Sequence, residues 1–219
     1  MLSKRLDCIH SFIIPCELLA DIGSDHGYLA LHALKSNKAK RVIASDFRQK
    51  PLDQAKKTFA QANVFDNINY VLSDGLKNFE IIPDCVVIAG MGGDLIIKII
   101  EQDFDRFKMV GQIITQANTK SNVLRSKMSL MGFSMIHEKM TYDGFFYCVQ
   151  SYFYTGLCVK LEETQAQFGL LPDLNDPVFI DFLKNQEYSI EHILVQNPYS
   201  KKHLHLLKLI RELLDKRVN

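Results

Sequence analysis

The sequence predicts a doubly wound α/β fold, a mainly parallel sheet followed by a helical appendage at its C-terminal end. Apolar strand-like segments and helical segments alternate through the first two thirds of the chain. An Asp-Gly turn then joins two extended segments, and from about residue 157 the pattern is helical without strands. Near-continuous apolar strands separated by helices are what a parallel sheet covered on both faces requires.

Five short segments rich in apolar and β-branched residues mark the strands in order: LLADIG (18–23), RVIASDF (41–47), INYVLSDG (68–75), DCVVIAGMGG (84–93) and MVGQIITQAN (109–118). Between them YLALHALKSN, PLDQAKKTFAQANV, DLIIKIIEQDFDRF and TKSNVLRSKMSLMG have helical spacing, and the last ends on Gly132, suited to a C-cap. FSMIHEKMTYDGFFYCVQSYFYTG then reads as a hairpin turning through Tyr142, Asp143 and Gly144. Five parallel units closed by a hairpin give the seven-stranded, Rossmann-like sheet of class I methyltransferases. A dinucleotide-binding dehydrogenase would more often continue with another strand-helix unit.

The expected division is 1–156 for this domain, with an N-terminal helix, and 157–219 for a helical C-terminal domain broken at Pro172 and Pro177. In its last segment Leu206, Leu207, Ile210, Leu213 and Leu214 share a face, while Lys201, Lys202, Lys208, Arg211, Lys216 and Arg217 lie mainly elsewhere. The apolar face reads as a docking or coiled-coil seam. The basic residues read either as a solvated face or as an RNA contact.

With 219 residues, 47% of them hydrophobic, the chain can bury one good core and carry an appendage. A net charge of +1 draws it to no nucleic acid as a whole, so any basic surface is local. Cys8, Cys16, Cys85, Cys148 and Cys158 are odd in number and never in a CxxC, poor material for a disulfide framework or a zinc site. They read as reduced, mostly buried thiols, with Cys85 and Cys148 in the core. Asp7, Pro15 and Glu17 interrupt the apolar stretch that follows Lys4 and Arg5, and no run approaches the roughly 20 residues that span a bilayer. A cytoplasmic monomer is expected.

Ligands of doubly wound sheets bind outside the carboxyl ends of the strands. The first strand ends in Asp21-Ile22-Gly23-Ser24-Asp25-His26-Gly27, where Gly23 and Gly27 permit a tight turn and close backbone approach before a helix N-terminus. The second ends at Asp46 and Phe47. Asp46 falls 23 residues after Gly23, about where an acid meets ribose hydroxyls in nucleotide-binding folds. The third ends in Ser73-Asp74-Gly75-Leu76, an acid beside backbone N–H groups that suits an adenine edge.

Charge distinguishes the cofactors. Asp21 and Asp25 in the turn repel a pyrophosphate, whose GxGxxG spacing is absent, and attract a sulfonium and an ammonium. S-adenosylmethionine fits better than NAD. His26 has two readings, capping or packing near the helix start and contact with substrate.

LADIGSDHGYL, VLSDGL, VIAGMGG, the Asp-Gly hairpin and the opening Leu2-Ser3-Lys4-Arg5-Leu6 together resemble the bacterial tRNA (adenine-N1)-methyltransferases that modify the adenine at position twenty-two, in the D-arm region. The likeness covers residues 2 to about 155 well and the helical tail in kind. One departure is Gln116-Ala117-Asn118 where the family usually has Gln-Pro-Asn; alanine does not fix φ as proline does. The resemblance implies methyl transfer from S-adenosylmethionine to ring N1 of a tRNA adenine. Ala89-Gly90-Met91-Gly92-Gly93-Asp94 replaces the (Asp/Asn)-Pro-Pro-aromatic motif of exocyclic amino methylation, and its small residues leave room for a flipped base.

Gly90 and Met91 are assigned to the cofactor site, Met91 either lining the base or simply packing. Ring N1 already carries a lone pair, so alignment matters more than deprotonation. Asp94 is the first candidate for stabilising the cationic product or taking its N6 proton, with a helix N-cap as the alternative. Tyr28 is assigned to stacking on or hydrogen-bonding the base, and Asn118 to bonding its edge. Lys4, Arg5, Lys120, Arg125 and Lys127, with the basic C-terminal helix, are the expected tRNA backbone contacts. The alternatives are a methyltransferase acting on another RNA or a small nucleophile, a dinucleotide-dependent oxidoreductase, and an RNA-binding protein that has lost catalysis.

Overall fold

The computed structural model describes residues 2–170 and 172–216; Arg217, named above among the basic residues of the tail, lies outside them. The chain runs α1 (Lys4–Phe12), β1 (Cys16–Ile22), α2 (Tyr28–Lys35), β2 (Ala39–Asp46), α3 (Gln49–Gln61), β3 (Ile68–Leu72), β4 (Cys85–Gly92), α4 (Gly93–Gln102), α5 (Phe104–Phe107), β5 (Gln112–Thr119), α6 (Ser121–Leu130), β6 (Phe133–Tyr142), β7 (Phe146–Tyr154), α7 (Glu163–Phe168), α8 (Pro177–Gln196) and α9 (Lys201–Asp215). Every expected strand is present, and the expected helix DLIIKIIEQDFDRF is broken at Asp103 into α4 and α5.

The seven strands form one sheet in the order β3-β2-β1-β4-β5-β7-β6. The first five are parallel, and β7 runs antiparallel to both β5 and β6. The order reverses beside β1, so the carboxyl ends of β1 and β4 flank the crevice where such sheets bind ligands. The β6–β7 hairpin closes as expected through Asp143, whose N–H donates to the Phe145 carbonyl at 2.9 Å.

Alternating side chains feed two cores. Leu19, Val87 and Ile114 face α1, α2 and α3, while Ala20, Val86, Ile88 and Ile113 face α4 and α6. Two buried faces explain why the strands read as continuous apolar runs. Cys85 and Cys148 are buried as expected; Cys8 and Cys16 are only half-buried, Cys158 is exposed, and all five are free.

The tail has its own apolar cluster, in which Phe179, Leu183 and Ile190 of α8 meet Leu207, Ile210 and Leu213 of α9. The leucine-rich face is thus a seam between two helices of the same chain. Arg211 reaches back to Glu187 and Glu191 at 2.8 and 2.6 Å. Among the described residues no helix is long and apolar enough to cross a membrane.

Candidate active site

The site begins where β1 ends. Gly23 takes φ +76°, and its N–H and that of Ser24 donate to the Ser45 carbonyl at 2.7 and 3.0 Å, tying the turn to β2. A Cβ at Gly23 would lie 2.1 Å from the Met91 methyl, and one at Gly27 (φ +71°) 3.0 Å from Ala55 Cβ. One glycine therefore admits the β4 loop and the other the packing of α3, both in a backbone region that side chains disfavour.

Above this turn lies a cavity of about 280 Å³ between Asp21, Ser24, Asp25 and Tyr28 on one side and Arg5 and Gly90 on the other. Gly23 and His26 also line it. Asp21 is the buried charge in that wall, with 6% of its surface exposed. Ser24 Oγ donates to its Oδ2 at 2.8 Å, and Oδ1 has no protein partner among the described residues. Burial pushes the Asp21 carboxyl up to about 6, the Ser24 hydrogen bond opposing only part of that rise. A carboxylate stripped of water with one free oxygen suits a cationic ligand group.

Asp25, at φ +37°, is solvent-facing, 3.6 Å from His26 Nε2. Of the two readings of His26, the structure shows no side-chain cap bond at the start of α2; the ring is exposed and stacks on Tyr28, centroids 5.4 Å apart. At the next strand end Asp46 is 5% exposed and accepts the Arg48 N–H on Oδ1 at 2.9 Å, while Phe47 stands out into solvent under the Arg48 guanidinium. At the third, Asp74 is exposed beside Lys77, Gly75 is buried with φ +74°, and the Leu76 N–H is already taken by Asp103 Oδ2 at 2.8 Å. Asp103 escaped the sequence reading; its one signal was an acid interrupting the helical period.

The β4 end is held by residues the sequence did not single out for that purpose. Gln116, fully buried, accepts Arg5 Nη1 at 2.7 Å and the Gly90 N–H at 3.2 Å on the same oxygen. Its amide donates to Asn118 Oδ1 at 3.1 Å, and Asn118 Nδ2 donates to the Gly90 carbonyl at 2.8 Å. Both ends of the Gly90 residue are thereby fixed, at a place where the β4–β5 register shifts around Met91. Ala117 does not open a loop here: it pairs with Met91 and Cys148 inside β5, which continues to Thr119.

Asp94 is the second residue of α4, exposed, and pairs with Lys120 Nζ at 2.5 Å; Gly92 occupies the cap position, so the N-cap alternative is not what the structure shows. Among the expected RNA contacts Lys4 is exposed, Lys120 holds Asp94, and Lys127 pairs with Glu101 at 2.7 Å. Arg125 is corrected. It is 2% exposed, its guanidinium bonded to Glu138 and to the Ala166 carbonyl, so it reaches no phosphate. Arg5 is also drawn inward, onto Gln116 and over the Tyr147 ring at 5.5 Å.

A seven-stranded sheet closed by an antiparallel hairpin, with acids at the carboxyl ends of its first three strands and a small crevice at the first of them, lined by Asp21 and Asp25 but not by Asp46 or Asp74, defines a domain of the class I methyltransferase type. Residues 2–149 match the methyltransferase domain family, and the chain belongs to it. Within it the chain groups with the bacterial tRNA (adenine(22)-N(1))-methyltransferases. It is 33% identical over 141 residues to that enzyme of Bacillus subtilis strain 168, an alignment spanning 63% of this chain and 58% of the relative's length. The solved structure of M. capricolum TrmK in complex with S-adenosyl-homocysteine is 30% identical, with a TM-score of 0.84 over 98% of both chains. A Streptococcus pneumoniae protein solved in complex with S-adenosyl-L-methionine is 28% identical, with a TM-score of 0.87 over 98% of this chain and 100% of the other.

Proposed function

We propose that this chain methylates ring N1 of an adenine in tRNA, at position twenty-two in the D-arm region, with S-adenosylmethionine as donor, in the cytoplasm. The observation that carries the reading is Asp21, a buried carboxylate with one unpartnered oxygen, set in a cavity whose opposite wall is the small-residue turn at Gly90. The donor set fits a cationic ligand and opposes a diphosphate. When bound, S-adenosylmethionine supplies an electrophilic methyl group. The relatives solved with the donor or its demethylated product point the same way.

The chain's own residues do the rest. Asp21, with the backbone of Gly23, holds the amino-acid end; Asp25 and His26 edge it, and Gly27 sets the helix start. Asp46, whose Oδ2 has no protein partner among the described residues, accepts from ribose hydroxyls, with Phe47 beside it. Asp74 and Gly75 meet the adenine edge. Tyr28, half-exposed and stacked on His26, offers a ring for the target base, and Met91 and Gly90 leave the gap through which it approaches. The lone pair of N1 needs alignment, which the fixed Gly90 residue provides. The methylated base is a cation, and Asp94 receives its N6 proton after giving up Lys120. Asn118 orients Gly90 and keeps one lone pair of its Oδ1 for the base edge. Residues 1–156 carry this chemistry, and the helical part, 157–219, with Lys4, Lys120 and Lys127, contacts the RNA backbone.

The test is methylation of bulk tRNA by the purified protein, followed by mapping of the new methyl group, with Asp94→Asn alongside. N1-methyladenosine at one site, lost in the variant with donor affinity intact, is expected. A product elsewhere than an adenine ring nitrogen overturns the substrate, and full turnover in the variant overturns the role of Asp94.

A further inference from the structure

Away from the cofactor cavity, α1 and α2 bring three metal-ligating side chains together. Asp7 and His10 lie one turn apart on α1, and His32 comes from α2; one ligand atom from each falls within 4.8 Å of the others. The two imidazoles meet edge to face, ring centroids 4.5 Å apart. Among the described residues neither the Asp7 carboxylate nor the His32 ring has a hydrogen-bond or ion-pair partner of its own.

His10 also has a side-chain partner, Ser36 at the end of α2. Ser36 Oγ donates to the Ala33 carbonyl at 3.3 Å and so receives, at 2.8 Å, the hydrogen on His10 Nε2. That hydrogen bond selects the tautomer in which Nδ1 carries the lone pair.

We propose that Asp7, His10 and His32 bind one divalent transition-metal ion of the zinc class, stapling α1 to α2. Two imidazoles and one carboxylate suit zinc, copper or nickel and do not suit magnesium or calcium, which take oxygen sets. Ligands about 2.0–2.2 Å from zinc sit roughly 3.5 Å from one another, so the three side chains close by about an ångström on binding. Asp7 is exposed, which leaves the remaining coordination positions to solvent. Cys8, although it lies between Asp7 and His10 in sequence, is not part of the cluster. The staple joins the helix carrying Arg5 to the helix beginning at Tyr28, two walls of the cofactor cavity. It stands independently of the transferase reading.

The experiment uses tag-free, chelator-treated full-length protein titrated with zinc chloride by calorimetry, with cobalt(II) absorption as a report of coordination and thermal unfolding as a second readout. One equivalent binds with micromolar or tighter affinity, and the unfolding midpoint rises with zinc. His10→Asn and His32→Asn each weaken binding at least about tenfold, and Ser36→Ala weakens it although no ligand is removed, within the roughly 10–100-fold range for outer-shell partners. Cys8→Ser leaves it unchanged. Absence of saturable binding to the wild-type protein overturns the proposal, as does zinc affinity that survives loss of both histidines. If the histidine variants do not fold, exposed Asp7→Asn decides: unchanged affinity overturns the tridentate site, and a severalfold loss supports it.

Discussion

Asp21 ties cofactor affinity to pH in a way that can be worked from the structure. Burial raises its pKa to about 6, against 3.8 for the free side chain. The native state therefore binds more protons than the unfolded chain between those two values, and stability falls as pH rises from about 4 to about 6. Holding the ionised carboxylate buried costs about 3 kcal/mol at neutral pH. A cationic ligand group recovers part of that cost, so S-adenosylmethionine binds the ionised form. At pH 5 about a tenth of the protein carries that charge, and affinity is roughly tenfold below its plateau near pH 7.5. Calorimetric titration from pH 5 to pH 8, on wild type and Asp21→Asn, reads this directly. The variant loses tenfold or more of affinity at pH 7.5 and most of the pH dependence, whatever Asp25 and His26 contribute remaining in both. It also unfolds about 1–3 kcal/mol later than wild type at pH 7.5, with no such gain at pH 4. Identical affinity profiles in the two proteins, or an asparagine variant less stable at pH 7.5, would refute the argument.

Two further perturbations address the ties around the site. Gln116→Leu strands the Arg5 guanidinium and the Gly90 N–H, costing about 2–4 kcal/mol in denaturant unfolding, and lowers kcat on tRNA more than donor affinity because the Gly90 turn loses its anchor. Breaking the buried Arg125–Glu138 pair by Arg125→Met costs about 3–5 kcal/mol, and replacing both partners, Arg125→Met with Glu138→Leu, recovers much of it. The single variant also exposes residues 157–170 to protease, since Arg125 holds the Ala166 carbonyl.

The strand ends were legible because the local chain announces them. An acid and a glycine after an apolar run mark where a buried strand must turn, and β1, β2 and β3 each carry an acid at that place. The hairpin was legible for the same reason. What the sequence hides is the partner of each polar side chain. Arg125 sits in a helix two residues before Lys127, which is partly exposed and paired with Glu101, and nothing local distinguishes the inward position; Glu138, the partner of Arg125, belongs to a strand of the hairpin. Gln116 and Arg5 are 111 residues apart, and Gln116 reads as a polar interruption in an apolar strand until the β5 register puts it under α1. Asp103 likewise shows only as a break between two helical stretches, although it fixes the Leu76 turn 27 residues earlier.

The same register explains why the N-terminal helix forms a wall of the cavity rather than a free arm. Gln112 and Gln116 are four residues apart on β5, so both face the side of the sheet that carries Ile114 and α1. Gln112 donates to the Phe12 carbonyl at 2.8 Å and accepts the Ile14 N–H at 3.1 Å, satisfying the end of the helix. Gln116 holds Arg5 near its beginning. Between the two glutamines, Ile9 and Ile13 are packed at 0% and 1% exposure. Apolar packing alone resists lifting the helix but tolerates sliding along its axis; hydrogen bonds at both ends fix its register, which is where buried polar groups contribute most. That register brings Arg5 to the rim beside Gly90 and leaves Lys4 pointing outward. The residue that shapes the cavity and the residue free to meet RNA are thus neighbours in sequence with opposite tasks.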